Sequence, residues 1–159
     1  MTSEVLVRSV VQGDVPAVAE LAAALVKYHR DLDPNRYMKI DRVREGYARF
    51  LFGELESERA VVLCAVQGDM IVGYAYGTVE GRNWSALLDP HGALHDLFVD
   101  PSARRQGAAR KLVLEMCRRL ERLGAPRLLL HTAVQNREAQ ALFAKLGFRS
   151  TMLEMTREA

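Results

Sequence analysis

The segment from His95 to Val113, HDLFVDPSARRQGAARKLV, constrains the fold more than any other part of the chain, because its periodicity changes in mid-course. Residues Ala93 to Val99 are apolar and β-favouring and read as a strand, which Asp100-Pro101 stops. After a basic turn the pattern becomes helical from about Gly107 to Leu123. That helix would bury Ala109, Leu112, Val113, Met116, Cys117 and Leu120 and leave Arg110, Lys111, Arg118, Arg119 and Arg122 in water. Gly124 and Pro126 close it.

The rest of the chain supplies a sheet for this unit to join. Val5 to Val11 is a short apolar run, and Asp14 with Val15-Pro16 opens a helix whose stripe is Val18, Leu21, Ala22, Leu25, Val26 and His29, ending near Arg30. A loop, Asp31-Leu32-Asp33-Pro34-Asn35, precedes a second helix capped by Asp41, with Val43, Tyr47, Phe50 and Leu51 inward. Ala60 to Val66 and Met70 to Val79, separated by Gln67-Gly68-Asp69, predict an antiparallel hairpin. Residues 81 to 92 form a longer loop. After the basic helix, Arg127 to Val134 reads as a strand, Asn136 caps a short helix with Ala139, Leu142, Phe143 and Leu146 inward, and a last strand runs through Met155. The predicted order is β-α-α-β-β-β-α-β-α-β, an α/β (α+β) fold with a central mixed sheet and helices on both faces.

At 159 residues, 49% apolar and 26% charged, the chain fits one ordinary globular domain, 1–159. Cys64 and Cys117 lie in apolar contexts without CxxC or Cys/His spacing, so neither a zinc site nor a disulfide scaffold is expected, and no metal. No apolar run reaches the ~20 residues of a membrane span, and the N-terminal residues lack the apolar core of a secretion signal. A cytoplasmic protein with no membrane partner is expected. The net charge of +2 conceals a division: residues 1–100 hold ten Lys and Arg against fifteen Asp and Glu, and residues 101–159 hold twelve against five. The basic part suits a polyanion and the acidic part a cation. Aromatics do not interleave with the arginines of the basic helix, so nucleic acid is not the expected partner.

The turn before the basic helix has the chemistry of a phosphate site. It presents consecutive backbone N–H groups at the positive end of a helix dipole; Gly107 and Ala109 leave those amides open, and Arg104, Arg105 and Arg110 add charge. The run R-R-Q-G-A-A, Arg104 to Ala109, resembles the Arg/Gln-x-x-Gly-x-Gly/Ala loop of the GNAT superfamily of acyl-CoA-dependent N-acetyltransferases. D-L-F-V-D-P precedes it, and N-R-E-A-Q-A-L-F-A-K-L-G-F, Asn136 to Phe148, is similar to that superfamily's second cofactor segment.

This resemblance implies a GNAT-like fold, acetyl-CoA as co-substrate and a primary amine as acceptor, with the acceptor part about 1–92 and the acetyl-CoA part about 93–148. It implies that pyrophosphate lies on the amides of Arg104, Arg105, Gln106, Gly107, Ala108 and Ala109, near Arg110. The pantetheine arm would then run beside Leu97, Phe98 and Val99, where the strand Ala93 to Val99 splays from Arg127 to Val134, with the N–H of Phe98 or Val99 as oxyanion donor. Asn136 matches a position that touches pantetheine, and serves equally as a helix cap. Phe143 stands where many relatives carry the tyrosine that protonates the leaving sulfur; it could pack against the cofactor, and its simplest role is core.

An amine with a pKa of ~10.4 must lose a proton to attack near neutral pH. The resemblance points to His95 and Asp96 as candidate bases, His95 matching a catalytic glutamate of some relatives. Adjacent strand residues face opposite ways, so only one of the two reaches the cleft unless the strand bulges. Each could instead be structural. Trp84 and His91 before that strand, and Tyr28, Asp31, Asp33 and Tyr37 between the first two helices, lie where acceptor pockets form in such enzymes, and His29 sits at the edge of the core. The acceptor class stays open between a small amine, an antibiotic, an amino acid and a protein lysine or N-terminus. A non-catalytic acyl-CoA-binding domain is the rival of another kind, and the resemblance leaves a homodimer open.

Overall fold

A computed structural model describes residues 3–159. In chain order the elements are β1 (Val5–Ser9), α1 (Val15–Leu32), α2 (Val43–Glu54), β2 (Ala60–Gln67), β3 (Met70–Glu80), β4 (His91–Val99), α3 (Ala108–Arg122), β5 (Leu128–Leu130) and α4 (Arg137–Lys145). The strands form one sheet in the order β1-β2-β3-β4-β5. The first three pairings are antiparallel and β4-β5 is parallel, with α3 as the crossover.

The two faces of the sheet carry separate cores. On one, Leu63, Ala65, Ala75, Leu94 and Val99 meet Leu112, Val113, Met116 and Leu120 of α3 and Phe143 of α4. On the other, Val62, Cys64, Tyr74, Tyr76 and Phe98 meet Val18, Leu21, Ala22 and Leu25 of α1 and Leu51 of α2. The alternation along each strand thus divides its side chains between two helical layers. Gly77 permits the close approach of α3, since a Cβ there would lie 2.7 Å from Met116 Sδ and 2.8 Å from the Ala93 carbonyl oxygen.

Four sequence expectations are corrected. Helix α1 continues past Arg30 to Leu32, because Lys27 holds Asp31 at 2.6 Å one turn on and the Asp33 N–H still reaches the His29 carbonyl. Helix α2 is capped by Arg42 in the left-handed region (φ 53°), not by Asp41, and Phe50 is 46% exposed while Leu51 is fully buried. The strand expected over Arg127 to Val134 shrinks to Leu128–Leu130, because β4 bulges just after Leu94 and turns away, leaving no ladder partner. The last strand, expected through Met155, does not form. Phe148 turns back to cap α4, its N–H on the Phe143 carbonyl and the two rings 5.8 Å apart, and the segment beyond is tied by the Arg36–Glu154 ion pair.

Candidate active site

The bulge in β4 resolves the question posed by two adjacent candidate bases. Tyr76 of β3 pairs with Asp96, and the next residue, Gly77, pairs with Leu94, so His95 is the additional residue. Leu94 and Leu97 therefore both enter the α3 core, whereas His95 and Asp96 both stand on the α1/α2 face. The bulge brings the two together.

Their surroundings differ. Asp96 is half-buried and accepts a hydrogen bond from the Tyr74 hydroxyl at 3.0 Å, with the Tyr47 hydroxyl beside the same carboxylate. Burial pushes its pKa above the usual carboxylate range, and the two phenols oppose that shift. Tyr47 and Tyr74 are raised in turn, by burial first and by the Asp96 charge second. His95 is exposed. Its ring stacks on Tyr76 at a centroid distance of 5.2 Å, its Nε2 lies 2.7 Å from Thr78 Oγ1, and Glu80 Oε1 is 3.6 Å away. Tyr76 donates to Glu54 Oε2 at 2.5 Å and meets Phe50 edge-on.

Beside this cluster is a cavity of about 610 Å³ whose walls include Glu80, Trp84, His91, Leu94, His95 and His131. It lies where β4 and β5 part. Their ladder ends at Leu94–Leu130, so Leu97, Phe98 and Val99 pair with β3 along one edge and meet no strand along the other among the described residues. His91 is buried, with Nδ1 2.8 Å from the Asp89 carbonyl oxygen, and Trp84 is 80% exposed. His29 is half-buried, Nδ1 at 3.0 Å from the Leu25 carbonyl oxygen, and its ring contacts Tyr28 and Tyr37.

Beyond Val99 the chain turns through Arg105 (φ 60°) and Gly107 (φ 82°), both left-handed, into α3. Among the described residues the N–H groups of Arg105, Gln106, Gly107, Ala108, Ala109 and Arg110 have no hydrogen-bond acceptor, and the first bond of the helix is Lys111 N–H to the Gly107 carbonyl. Six consecutive amides bent by left-handed residues at a helix N-terminus make an anion cradle. Arg105 and Arg110 are exposed there. Arg104 is tied to β4: its Nε donates to the Val99 carbonyl at 3.1 Å and its guanidinium lies over the Phe98 ring at 5.6 Å. Gln106 accepts from Gln67 Nε2 at 2.7 Å, which anchors the turn to β2.

Two further residues singled out by sequence have structural contacts. The Asn136 side chain accepts from the Ala139 N–H at 3.1 Å as the cap of α4. Phe143 is buried in the α3 core against Phe148. Both cysteines are free, with thiol pKa values raised by burial. The polar groups that sequence reasoning passed over are Glu54, Tyr74, Tyr76, Thr78 and Glu80. Four of them, at 74, 76, 78 and 80, follow the two-residue period of a strand in Y-A-Y-G-T-V-E, a signal for one shared face.

Comparison with known proteins bears on the same segments. The uncharacterized N-acetyltransferase YhfO of Bacillus subtilis is 30% identical over 106 residues, 65% of this chain and 68% of that protein. A mycothiol acetyltransferase of Thermomonospora curvata is 36% identical over 73 residues, 45% of this chain but only 25% of its own length. Among solved structures, a mutant of the BH1408 protein from Bacillus halodurans superposes with a TM-score of 0.81 at 18% identity, covering 97% of this chain and 99% of that one. The aminoglycoside N-acetyltransferase AAC(6')-Iy in complex with CoA gives 0.75 at 18% identity, covering 99% and 95%. The model of the acetyltransferase (GNAT) family matches residues 20–148, from α1 through the amide cradle to the end of α4, and the chain belongs to that family.

Proposed function

We propose that this chain, acting as one N-acetyltransferase domain over 1–159, transfers an acetyl group from acetyl-CoA to a primary amine by direct attack on the thioester. The observation that carries the reading is the run of six unpartnered amides from Arg105 to Arg110, set at the end of a strand whose neighbouring edge is left open. Acetyl-CoA brings a pyrophosphate for the first, an amide-bearing arm for the second, and the acetyl group itself as a thioester.

The residues divide the work by position. The cradle amides, with Arg105 and Arg110, hold the pyrophosphate, and the absence of a side chain at Gly107 lets it approach. The open edge at Leu97 and Val99 pairs with the pantetheine amides, and Val99 N–H polarises the thioester carbonyl; Phe98 N–H, like the Asp100 N–H that bonds the Val72 carbonyl, faces β3. The free NH₂ of the Asn136 amide can reach the same arm while its oxygen caps α4. His95 takes the proton of the incoming ammonium, because it is exposed whereas the Asp96 carboxylate is engaged by phenols. Nitrogen then bonds to the acetyl carbon, the carbon–sulfur bond breaks, and CoA departs as a thiolate that takes up the second proton shed by the nitrogen, leaving a neutral amide and the free thiol. Glu54, Glu80 and Asp96 give the acceptor side a negative character that suits a protonated amine arriving from water.

Thiol release from acetyl-CoA across a panel of small amines, amino acids, aminoglycosides and lysine peptides tests this directly, with acetyl-CoA titrated by calorimetry in parallel. Binding with turnover on at least one amine is expected. Binding without release on any member would leave an acyl-CoA-binding domain, and absence of binding would overturn the reading.

A further inference from the structure

The buried hydroxyl of Thr78 sits between two groups that together determine which nitrogen of His95 carries a proton. Thr78 is 8% exposed, and its Oγ1 is within hydrogen-bond distance of both Glu80 Oε1 and His95 Nε2, the latter at 2.7 Å. A hydroxyl has a single proton to give, and an ionised carboxylate can only accept. With Glu80 ionised, the Thr78 proton therefore goes to Glu80, and Thr78 Oγ1 must accept from His95. The nitrogen bonded to Thr78 is then Nε2–H. Nδ1 keeps its lone pair and has no hydrogen-bond partner among the described residues.

We infer that Thr78 and Glu80 are positioning residues that hold His95 as the Nε2–H tautomer and leave Nδ1 as the atom that takes the amine proton. This rests on the reading of His95 as the base. The step is balanced: a proton leaves the ammonium nitrogen for Nδ1, and the resulting imidazolium faces Glu80 Oε1 at 3.6 Å through the Thr78 bond. Other groups around the ring act in known directions. Tyr76 of β3 lies flat against it, Glu54 of α2 accepts from the Tyr76 hydroxyl, and the adjacent Asp96 of β4 favours the imidazolium. Across the cavity, Arg82 and His131 disfavour a further positive charge. The bulge makes the arrangement: without it only one of His95 and Asp96 could stand on the α1/α2 face.

The test reads the tautomer and the rate separately. In the full chain labelled with ¹⁵N-histidine, the neutral imidazole of His95 is expected to show a protonated Nε2 and a bare Nδ1. Thr78→Ser should keep that pattern and near-native kcat/KM. Thr78→Val, equal in shape but without the hydroxyl, should give a mixture of tautomers and at least a tenfold fall in kcat/KM, within the roughly 10²–10⁴-fold that a positioned base supplies. Glu80→Gln should move the acidic limb of the rate profile to lower pH, since it removes the anion opposite the imidazolium. A bare Nε2 in the native chain, or a Thr78→Val variant with native tautomer and pH profile, would overturn the inference. The tautomer is measured without any acceptor, so failure of the acetyl-transfer reading shows in the amine panel while this result stands alone.

Discussion

His95 and Tyr76 lie ring against ring, 5.2 Å between centroids and 30° between planes, although the bulge denies them a direct pairing across β3 and β4. The stack fixes the plane of the imidazole while leaving its edge to polar partners. Glu54 holds the far end of Tyr76. Orientation of the candidate base thus passes from a helix, through a tyrosine, to a strand residue.

Tyr76→Phe keeps that stack and removes only the bond to Glu54, so a stability loss of about 1 kcal/mol and a kcat/KM within about threefold of native are expected. Tyr76→Leu removes the flat surface. Its kcat/KM should fall about tenfold or more, mostly through kcat, as for a base that is misoriented while the substrates still bind. Steady-state kinetics with urea unfolding checks both, and equal kinetics for the two variants would show that the stack does not orient His95.

Gly107 has φ 82° and open space around its missing side chain. Gly107→Ala therefore tests backbone strain alone, about 1 kcal/mol of folding stability. Gly107→Glu adds a carboxylate at the cradle and is expected to weaken acetyl-CoA at least tenfold beyond the alanine variant. Calorimetric titration of both folded variants gives the comparison. Equal affinity in the two would remove the pyrophosphate from this turn.

Asp96 and His95 are separable by pH. If His95 takes the proton, the rate carries an acidic limb, and His95→Gln loses that limb. Asp96 enters through stability. Its pKa is raised in the folded chain by burial, so the folded state holds the proton more tightly than the unfolded one. The penalty for ionising it is absent below the unfolded value of ~3.9 and complete above the raised folded value. The melting temperature of Asp96→Asn relative to the native chain should accordingly become more favourable as pH rises above the unfolded value of ~3.9 and level off above the raised folded value. An offset independent of pH, or one of opposite slope, would show that burial does not dominate at Asp96.

Much of this was legible in the sequence where a residue type has one structural use. The hairpin at Gln67-Gly68-Asp69, the stripe of α3 from Leu112 to Leu120 and the Asn136 cap all follow from local chemistry. The bulge at His95 was not, because an extra residue in a ladder is defined by its partner strand, Tyr76 and Gly77, and not by its own neighbours. For the same reason the bond from Arg104 Nε to the Val99 carbonyl was not legible, since it depends on how the turn folds back on β4. The short β5 and the missing final strand have a related cause: a strand needs an edge to pair with, and periodicity reports only the segment's own faces.

Phe143 stands where the resemblance in sequence implies a tyrosine, and one substitution distinguishes its two roles. The ring is 7% exposed, packed in the α3 core with Phe148 against its edge. Phe143→Tyr adds a hydroxyl without altering the ring. If that hydroxyl enters the core without a partner, it costs roughly 1–3 kcal/mol. If it reaches the departing sulfur, it can donate to the thiolate, an acid catalysis commonly worth ~10²-fold when well placed. A CoA thiol resembling cysteine, with a pKa near ~8.5, leaves tolerably without help, so the gain would be smaller. Given the packing against Phe148, the expected outcome is a lower melting temperature with unchanged turnover at saturating acetyl-CoA, which makes Phe143 a core residue and assigns thiol release to another route. Faster turnover with native stability would instead place this ring at the sulfur.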